Sequence, residues 1–320
     1  MQRALLIYDS KYGSTETLVK QMALILGPSR YCRPAEFKEE YRSFDLIVIG
    51  APLYREHLPA ALVEFVVANH IWLRSKRVAL FCTCLSRVQG ARQLQALARM
   101  IGDHVLVSRA LGGRLNLERL DAQDSTDIAA FCRQTGVPLS NVDLHDADEL
   151  VEFALGLKAL KDDGDRSMPG ELLHAAIEEF LTSHNTCTLS TGSGSRVRGT
   201  PIEYSYQDGQ LYLLSEGGEK FANLLLNPNV AVTAYEPYQG MNRLAGLQLS
   251  GQAVLIDGGS AEYGRALDLK GINATRVVSL PILLNVIRIR LDRAEFLSSR
   301  LQEMGYGMRQ VHRFPTSPGD

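Results

Sequence analysis

Ala4-Leu5-Leu6-Ile7-Tyr8-Asp9-Ser10-Lys11-Tyr12-Gly13-Ser14-Thr15 is the stretch whose reading decides the fold of the first half of this chain. An apolar, β-rich run passes directly into a loop of hydroxyls around one glycine. Beyond the loop, Leu18, Met22 and Ile25 make a helical stripe over residues 15–26. Holding a phosphate without a metal takes backbone N–H donors, hydroxyls and a helix N-terminus. This loop supplies hydroxyls at Ser10, Tyr12, Ser14 and Thr15, a flexible Gly13, and a helix that begins near Thr15.

Outward from that stretch, strands and helices alternate. Residues 46–50 (LIVIG) form a continuous apolar run, as expected of a parallel strand covered on both faces. Pro59 suits the first turn of the next helix, which carries Leu62, Val63, Val66 and Val67. A strand over 77–82, a helix over 89–100 and a strand around 105–107 follow. Such alternation implies parallel strands joined by right-handed crossovers. Ligands of these folds bind at the carboxyl ends of the strands, by the switch point.

From Asp121 to Asp165 the composition shifts to eleven acidic residues against three basic ones. Residues 148–160 still read as a helix, and the polar stretch up to Pro169 is the candidate linker. Domains of 1–162 and 163–320 are expected. The second half reads as an amphipathic helix over 171–183 followed by short strands. Asp208-Gly209 carries the signal of a tight hairpin. Six or so short strands with one helical break suggest a small barrel.

Two family resemblances attach to these features. Residues 1–160 resemble flavodoxins, whose first loop has the form Ser/Thr-x-Thr-Gly-x-Thr. Ser10, Gly13 and Thr15 match, with Tyr12 in place of the middle Thr. The resemblance implies FMN held by Ser10, Lys11, Tyr12, Gly13, Ser14 and Thr15. It implies a ring loop at Pro52, Leu53, Tyr54 and Arg55, with Tyr54 stacked on the isoalloxazine, and a second at Cys84 and Leu85. Flavodoxin-type protoporphyrinogen oxidases are similar as well, but the segment after Val105 reads as too short for the long insertion of those enzymes.

The second resemblance spans 168–314. Lys220-x-x-Asn223-Leu224-x-x-Asn227-Pro228-x-Val230 is similar to the FMN-binding split barrel of the pyridoxamine 5'-phosphate oxidase superfamily. It implies that Lys220 and Ser215 take the phosphate, that the strand carrying Arg198, Thr200, Pro201, Ile202 and Glu203 meets the ring, and that Gln248 lies near the ring edge. It also implies a homodimer through the barrel. Glu219 stands where the family often has Arg, a loss for which Arg196 or Arg198 compensates. The fold expected is therefore an α/β flavodoxin-like doubly wound parallel sheet followed by an FMN-binding split β-barrel.

Composition bounds the remainder. A net charge of −2 excludes a general basic surface for nucleic acid. No apolar run reaches the roughly 18 residues of a membrane span, and the N-terminus shows no leader pattern, so the cytoplasm is expected. Cys32, Cys82, Cys84, Cys132 and Cys187 are scattered, without a disulfide framework or zinc spacing. Cys82 and Cys84 read either as buried strand residues or as a redox dithiol. Nine basic residues stand against two acids from Arg74 to Arg119. With Arg55, Arg87 and Arg114 at strand ends, they read either as a solvated face or as a site for an anionic partner.

The function expected is an FMN-dependent oxidoreductase with up to two FMN per chain, and NAD(P)H or a redox protein as donor. The chain carries no Gly-x-Gly-x-x-Gly fingerprint for a nicotinamide. The alternatives are a non-enzymatic electron-transfer module, and a single-flavin protein whose other domain is a scaffold or a heme- or tetrapyrrole-related binder.

Overall fold

The structure is a computed structural model that describes residues 2–55, 57–136 and 138–315 of the 320-residue chain. It divides into two compact units, residues 1–165 and 166–320.

In the first unit, β1 (Ala4–Tyr8), β2 (Ser29–Cys32), β3 (Leu46–Pro52), β4 (Arg77–Cys84) and β5 (Val105–Gly112) form one parallel sheet in the order β2-β1-β3-β4-β5. Helices α1 (Ser14–Leu26), α2 (Ala60–Leu73) and α3 (Arg87–Ile101) cross between the strands. Every residue of β1 and β3 is buried, because each strand is covered on both faces. Leu5, Ile7, Ile47 and Ile49 pack with Leu62 and Val66 of α2 and Leu94 of α3. Leu6 and Val48 face the opposite layer, with Val19 and Met22 of α1. Gly50 within β3 is glycine for a steric reason: a Cβ there would lie 2.0 Å from the Phe81 ring of β4. Strand β2 has no apolar run because it is an edge strand, with only Cys32 of its four residues buried.

The segment after β5 departs from the expectation of a short connection. Residues 113–146 fold into β6 (Arg114–Leu115), α4 (Ala122–Thr135) and β7 (Val142–Asp143), with β6 and β7 antiparallel. Asp121 caps α4 by accepting from the Asp124 N–H at 2.8 Å. The next helix, α5 (Ala147–Asp162), returns Phe153, Ala154 and Leu157 to the α1 side of the sheet.

The second unit opens with α6 (Gly170–Ser183), then β8 (Thr186–Ser193), β9 (Arg196–Gln207) and β10 (Gln210–Ser215). Helix α7 (Glu219–Leu224) leads to β11 (Asn229–Tyr235) and β12 (Ala245–Ile256). Helices α8 (Ala261–Leu269) and α9 (Ala274–Val278) precede β13 (Asn285–Ser298), and α10 (Ser299–Glu303) precedes β14 (Arg309–Arg313). The sheet order is β10-β9-β8-β11-β12-β13-β14, and pairing of β10 with β13 closes it into a barrel of six strands. Asp208 and Gly209 join β9 to β10, both with positive φ (48° and 75°), as a two-residue hairpin of the I′ kind needs. The closure is incomplete at one seam. β10 pairs with β9 only over residues 204–207 of β9, whereas residues 196–203 pair with β8 alone. One main-chain edge of that half-strand is therefore open. Among the described residues no helix is long and apolar enough to cross a membrane.

Candidate functional site

Four chain segments meet at the carboxyl edge of the parallel sheet and line a half-open cavity of about 950 Å³. That volume is at the upper end of the roughly 300–1,000 Å³ of small-molecule sites. Gly13 to Thr15, Pro52 to Arg55, Thr83 to Ser86 and Gln89 line it. Leu115, Leu120, Ile128 and Phe131 bring apolar surface from the segment after β5.

The first loop is held from within. Ser10 is buried, and its Oγ accepts from the Gly13 N–H at 3.1 Å. Gly13 sits at φ 85°, left-handed backbone that favours glycine, with no atom within 4 Å of where a Cβ would project. Thr15 shares a 2.7 Å hydrogen bond with Thr83 at the end of β4. Ser14 Oγ lies 2.8 Å from Nε2 of His145, a residue of the β7–α5 connection. The backbone N–H of Lys11 donates to Tyr54 Oη at 2.9 Å. Tyr54 thus lines the cavity with its ring while its hydroxyl serves the first loop, and burial pushes its phenol pKa up.

The side chains of Lys11, Tyr12 and Arg55 turn to α4 instead. Lys11 Nζ is 2.5 Å from Asp121 and 2.6 Å from Asp124. The Tyr12 hydroxyl bonds Asp124, and Arg55 bonds Asp127. Hydrogen bonds from Lys11 and Tyr12 hold the Asp124 carboxyl below its ordinary range. Arg87 forks onto Glu149 at 2.5 and 2.9 Å, and Arg114 meets Asp143 at 2.7 Å. All three rim arginines read from the sequence as a possible anion site are therefore paired with carboxylates. Acids of the 121–165 stretch thus pair with Arg87, Arg109 and Arg114 of the basic stretch before it. Arg119 lines the cavity with its guanidinium 3.5 Å from the Tyr12 carbonyl.

Cys82 and Cys84 lie side by side beneath α3. A Cβ on Gly90 would fall 2.9 Å from one sulfur and 2.8 Å from the other. Their shared hydrogen bond, with burial, pushes the Cys82 thiol up, while the same bond draws Cys84 down. A disulfide does not fit here. Alternate residues of a strand rise about 6.6 Å with parallel Cβ vectors, against a Cβ···Cβ of about 3.8 Å for the bond. Of the two, Cys84 reaches the cavity wall, with the exposed Leu85 beside it.

In the barrel unit, Lys220 is 7% exposed and its ammonium donates to the Gly217 carbonyl at 2.6 Å. Burial lowers its pKa, and the Arg198 charge adds to that. Ser215 Oγ lies 3.3 Å from the Gly217 N–H. Arg198 meets Glu219 at 2.6 Å, so the acid that replaces the usual Arg is neutralised from β9. Asn223 and Asn227 are structural pins: their amides donate to Thr191 and to the Gly192 carbonyl of β8. Thr200, Pro201, Ile202 and Glu203 follow Arg198 along the half of β9 with the open edge, where Ile202 packs on the barrel core and Glu203 meets Lys270 at 3.4 Å. Gln248 stands apart, on the outer face of β12 in register with Thr233 and Glu295.

Comparison with known families assigns both units. Residues 5–139 match the flavodoxin domain family and residues 173–297 the pyridoxamine 5'-phosphate oxidase family. The chain is a flavodoxin domain followed by a pyridoxamine 5'-phosphate oxidase-like domain. A UPF0306 protein of Yersinia pseudotuberculosis is 27% identical over 119 residues, 36% of this chain and 81% of that protein. A FAD-binding protein of Mesorhizobium loti is 19% identical with a TM-score of 0.32, over 38% of this chain and 89% of that one. The heme storage protein HutZ of Vibrio cholerae is 17% identical with a TM-score of 0.32, over 38% and 90%.

The residues present in both domains fit a flavin phosphate. In the flavodoxin domain, the left-handed Gly13 leaves open space beside the loop amides and hydroxyls. In the oxidase-like domain, a buried ammonium is held by a carbonyl and has a cation rather than an acid acting on it. Both donor sets suit an anion. His145, Arg119 and the whole α4 wall were not expected from the sequence, whereas Thr83 belongs to the expected second ring loop. One signal for α4 was available: Asp121, Asp124 and Asp127 recur every three residues, with Ile128 and Phe131 following. His57 exchanges main-chain hydrogen bonds with Tyr54, and His174 bonds His312 at 3.1 Å within the barrel unit.

Proposed function

We propose that this chain is an FMN-dependent oxidoreductase that carries one FMN in each domain and passes electrons between them. The observation that carries this reading is the cavity, where phosphate-type donors at Gly13 to Thr15 and residues suited to the ring at Pro52 to Tyr54 open into one space. FMN, when bound, supplies the one- and two-electron chemistry. The protein's part is to bind, orient and exclude water. Ser14 and the loop amides hold the phosphate, with the buried Ser10 and Thr15 hydroxyls fixing the loop behind them; Pro52, Leu53, Tyr54, Cys84 and Leu85 bound the ring. In the second domain Lys220, Ser215 and Arg198 take the phosphate, and the open edge of β9 presents main-chain groups to the ring. A cytoplasmic homodimer through the barrel completes that site.

An enzyme is favoured over a carrier because Ile128 and Phe131 of α4 extend the cavity wall beyond the two ring loops, which gives a small substrate a surface to dock on. FMN is favoured over FAD, since neither donor set extends beyond one phosphate. The deciding experiment is flavin content per chain after FMN reconstitution, with the released flavin identified by chromatography. Two FMN per chain, reduced in stopped flow by NADPH, NADH or a reductase, is the expected result. A value near one supports a scaffold or a tetrapyrrole-related role for the other domain.

A further inference from the structure

We infer that His145 sets the Ser14 hydroxyl for the flavin phosphate, so that phosphate affinity in the flavodoxin domain depends on the proton of one imidazole. The inference rests on the FMN reading above and names a residue outside the phosphate-loop motif. His145 Nε2 lies 2.8 Å from Ser14 Oγ, and its side chain is 14% exposed. A serine hydroxyl has one hydrogen to donate. When Nε2 is bare, that hydrogen goes to the imidazole and Ser14 shows a phosphate only lone pairs. When Nε2 carries a proton, it donates to Oγ and the hydroxyl hydrogen is released toward the loop. The doubly protonated ring also adds a positive charge behind the serine.

The surroundings leave this choice to the ligand. Asp143 Oδ1 stands 3.9 Å from Nδ1, but Arg114 already pairs with that carboxylate. At the start of α5, the Asp146 carboxylate caps the N–H groups of Asp148 and Glu149, and Glu149 is forked by Arg87. Burial and the Arg114 charge hold the imidazole below its ordinary range, with Asp143 acting against them. A phosphate dianion beside Ser14 would pull it upward, so binding takes up a proton.

The test is FMN and riboflavin titration of the full chain from about pH 5.5 to about pH 8, followed by flavin fluorescence. The component that Gly13→Val removes identifies the flavodoxin-domain site. Expected is FMN affinity there that weakens as pH rises, with riboflavin affinity flat. His145→Ala should weaken FMN at low pH by about tenfold, the scale of one hydrogen bond, and leave riboflavin unchanged. The phosphate's own second ionisation, near pH 6, persists in that variant, so the difference between the two profiles belongs to the imidazole. Ser14→Ala should weaken FMN at every pH, because the donor itself is lost, and His145→Ala should cost less on that background than in the native chain. FMN affinity indifferent to His145→Ala, or an equal loss of riboflavin, overturns the inference and leaves the FMN reading standing. Absence of any component sensitive to Gly13→Val overturns the reading itself.

Discussion

Thr15 at the first turn of α1 and Thr83 at the end of β4 share a hydrogen bond of 2.7 Å between hydroxyls that solvent does not reach. The bond ties the phosphate loop to the second ring loop beneath the cavity floor. Removing one partner strands the other in a dry environment, at a cost of about 1–3 kcal/mol. Thr15→Val or Thr83→Val should therefore lower the stability of the flavodoxin domain by that amount, and the double variant by less than the sum. Fluorescence of Trp72, the single tryptophan, reports this domain's unfolding in denaturant.

Lys220→Ala should weaken the flavin of the oxidase-like domain by about 1.5–3 kcal/mol, the scale of a charge-assisted contact, and leave the flavodoxin-domain flavin bound. Gly13→Val should do the reverse, because a β-branched residue is strained at φ 85°. Flavin stoichiometry of each variant checks both. Loss of both flavins from either change would mean that the substitution unfolds the chain.

Asp124 joins α4 to both flavin loops, touching Lys11, Tyr12 and Arg55. Asp124→Asn should speed FMN release from the flavodoxin domain by about tenfold, as for loss of one charge-assisted contact, and should make release insensitive to salt. Stopped-flow dilution into excess riboflavin reads the rate. Acid should act like the substitution. The Asp124 carboxyl is held below its ordinary 3.8, so its stabilising pairs are intact above that value. They are lost as pH falls through the lower folded-state value. Limited proteolysis within residues 113–146 should rise only in that acid window.

His312 in the barrel unit provides a second pH test of opposite chemistry. Burial and the neighbouring His174 charge hold its imidazole below 6.5, so the folded protein prefers it neutral. The unfolded chain then binds more protons between the two values, and stability increases with pH across that interval. Calorimetry should show the barrel transition losing stability as pH falls below 6.5, and His312→Gln should flatten the dependence. An unchanged slope in that variant would place the effect elsewhere.

The parallel sheet was legible because burial on both faces demands continuous apolar runs, and 4–8 and 46–50 are such runs. The barrel hairpin was legible because only residues tolerant of positive φ suit the Asp208-Gly209 turn. Strand β2 escaped notice because an edge strand covered on few sides needs no apolar pattern. Helix α4 was hidden by its acids, which read only as a shift in composition and in fact face the cations of two other loops.

By itself, the sequence determined the two fold types and picked out the Ser10–Thr15 loop and the Lys220 motif, since each depends on neighbours within a few residues. The tertiary structure alone decided which charges are spent on one another, which motif residues are pins, and that His145 stands behind Ser14. Those relations join residues as far apart as Ser14 and His145. Pairing at such separations depends on where the chain returns after folding, and local pattern carries no record of it.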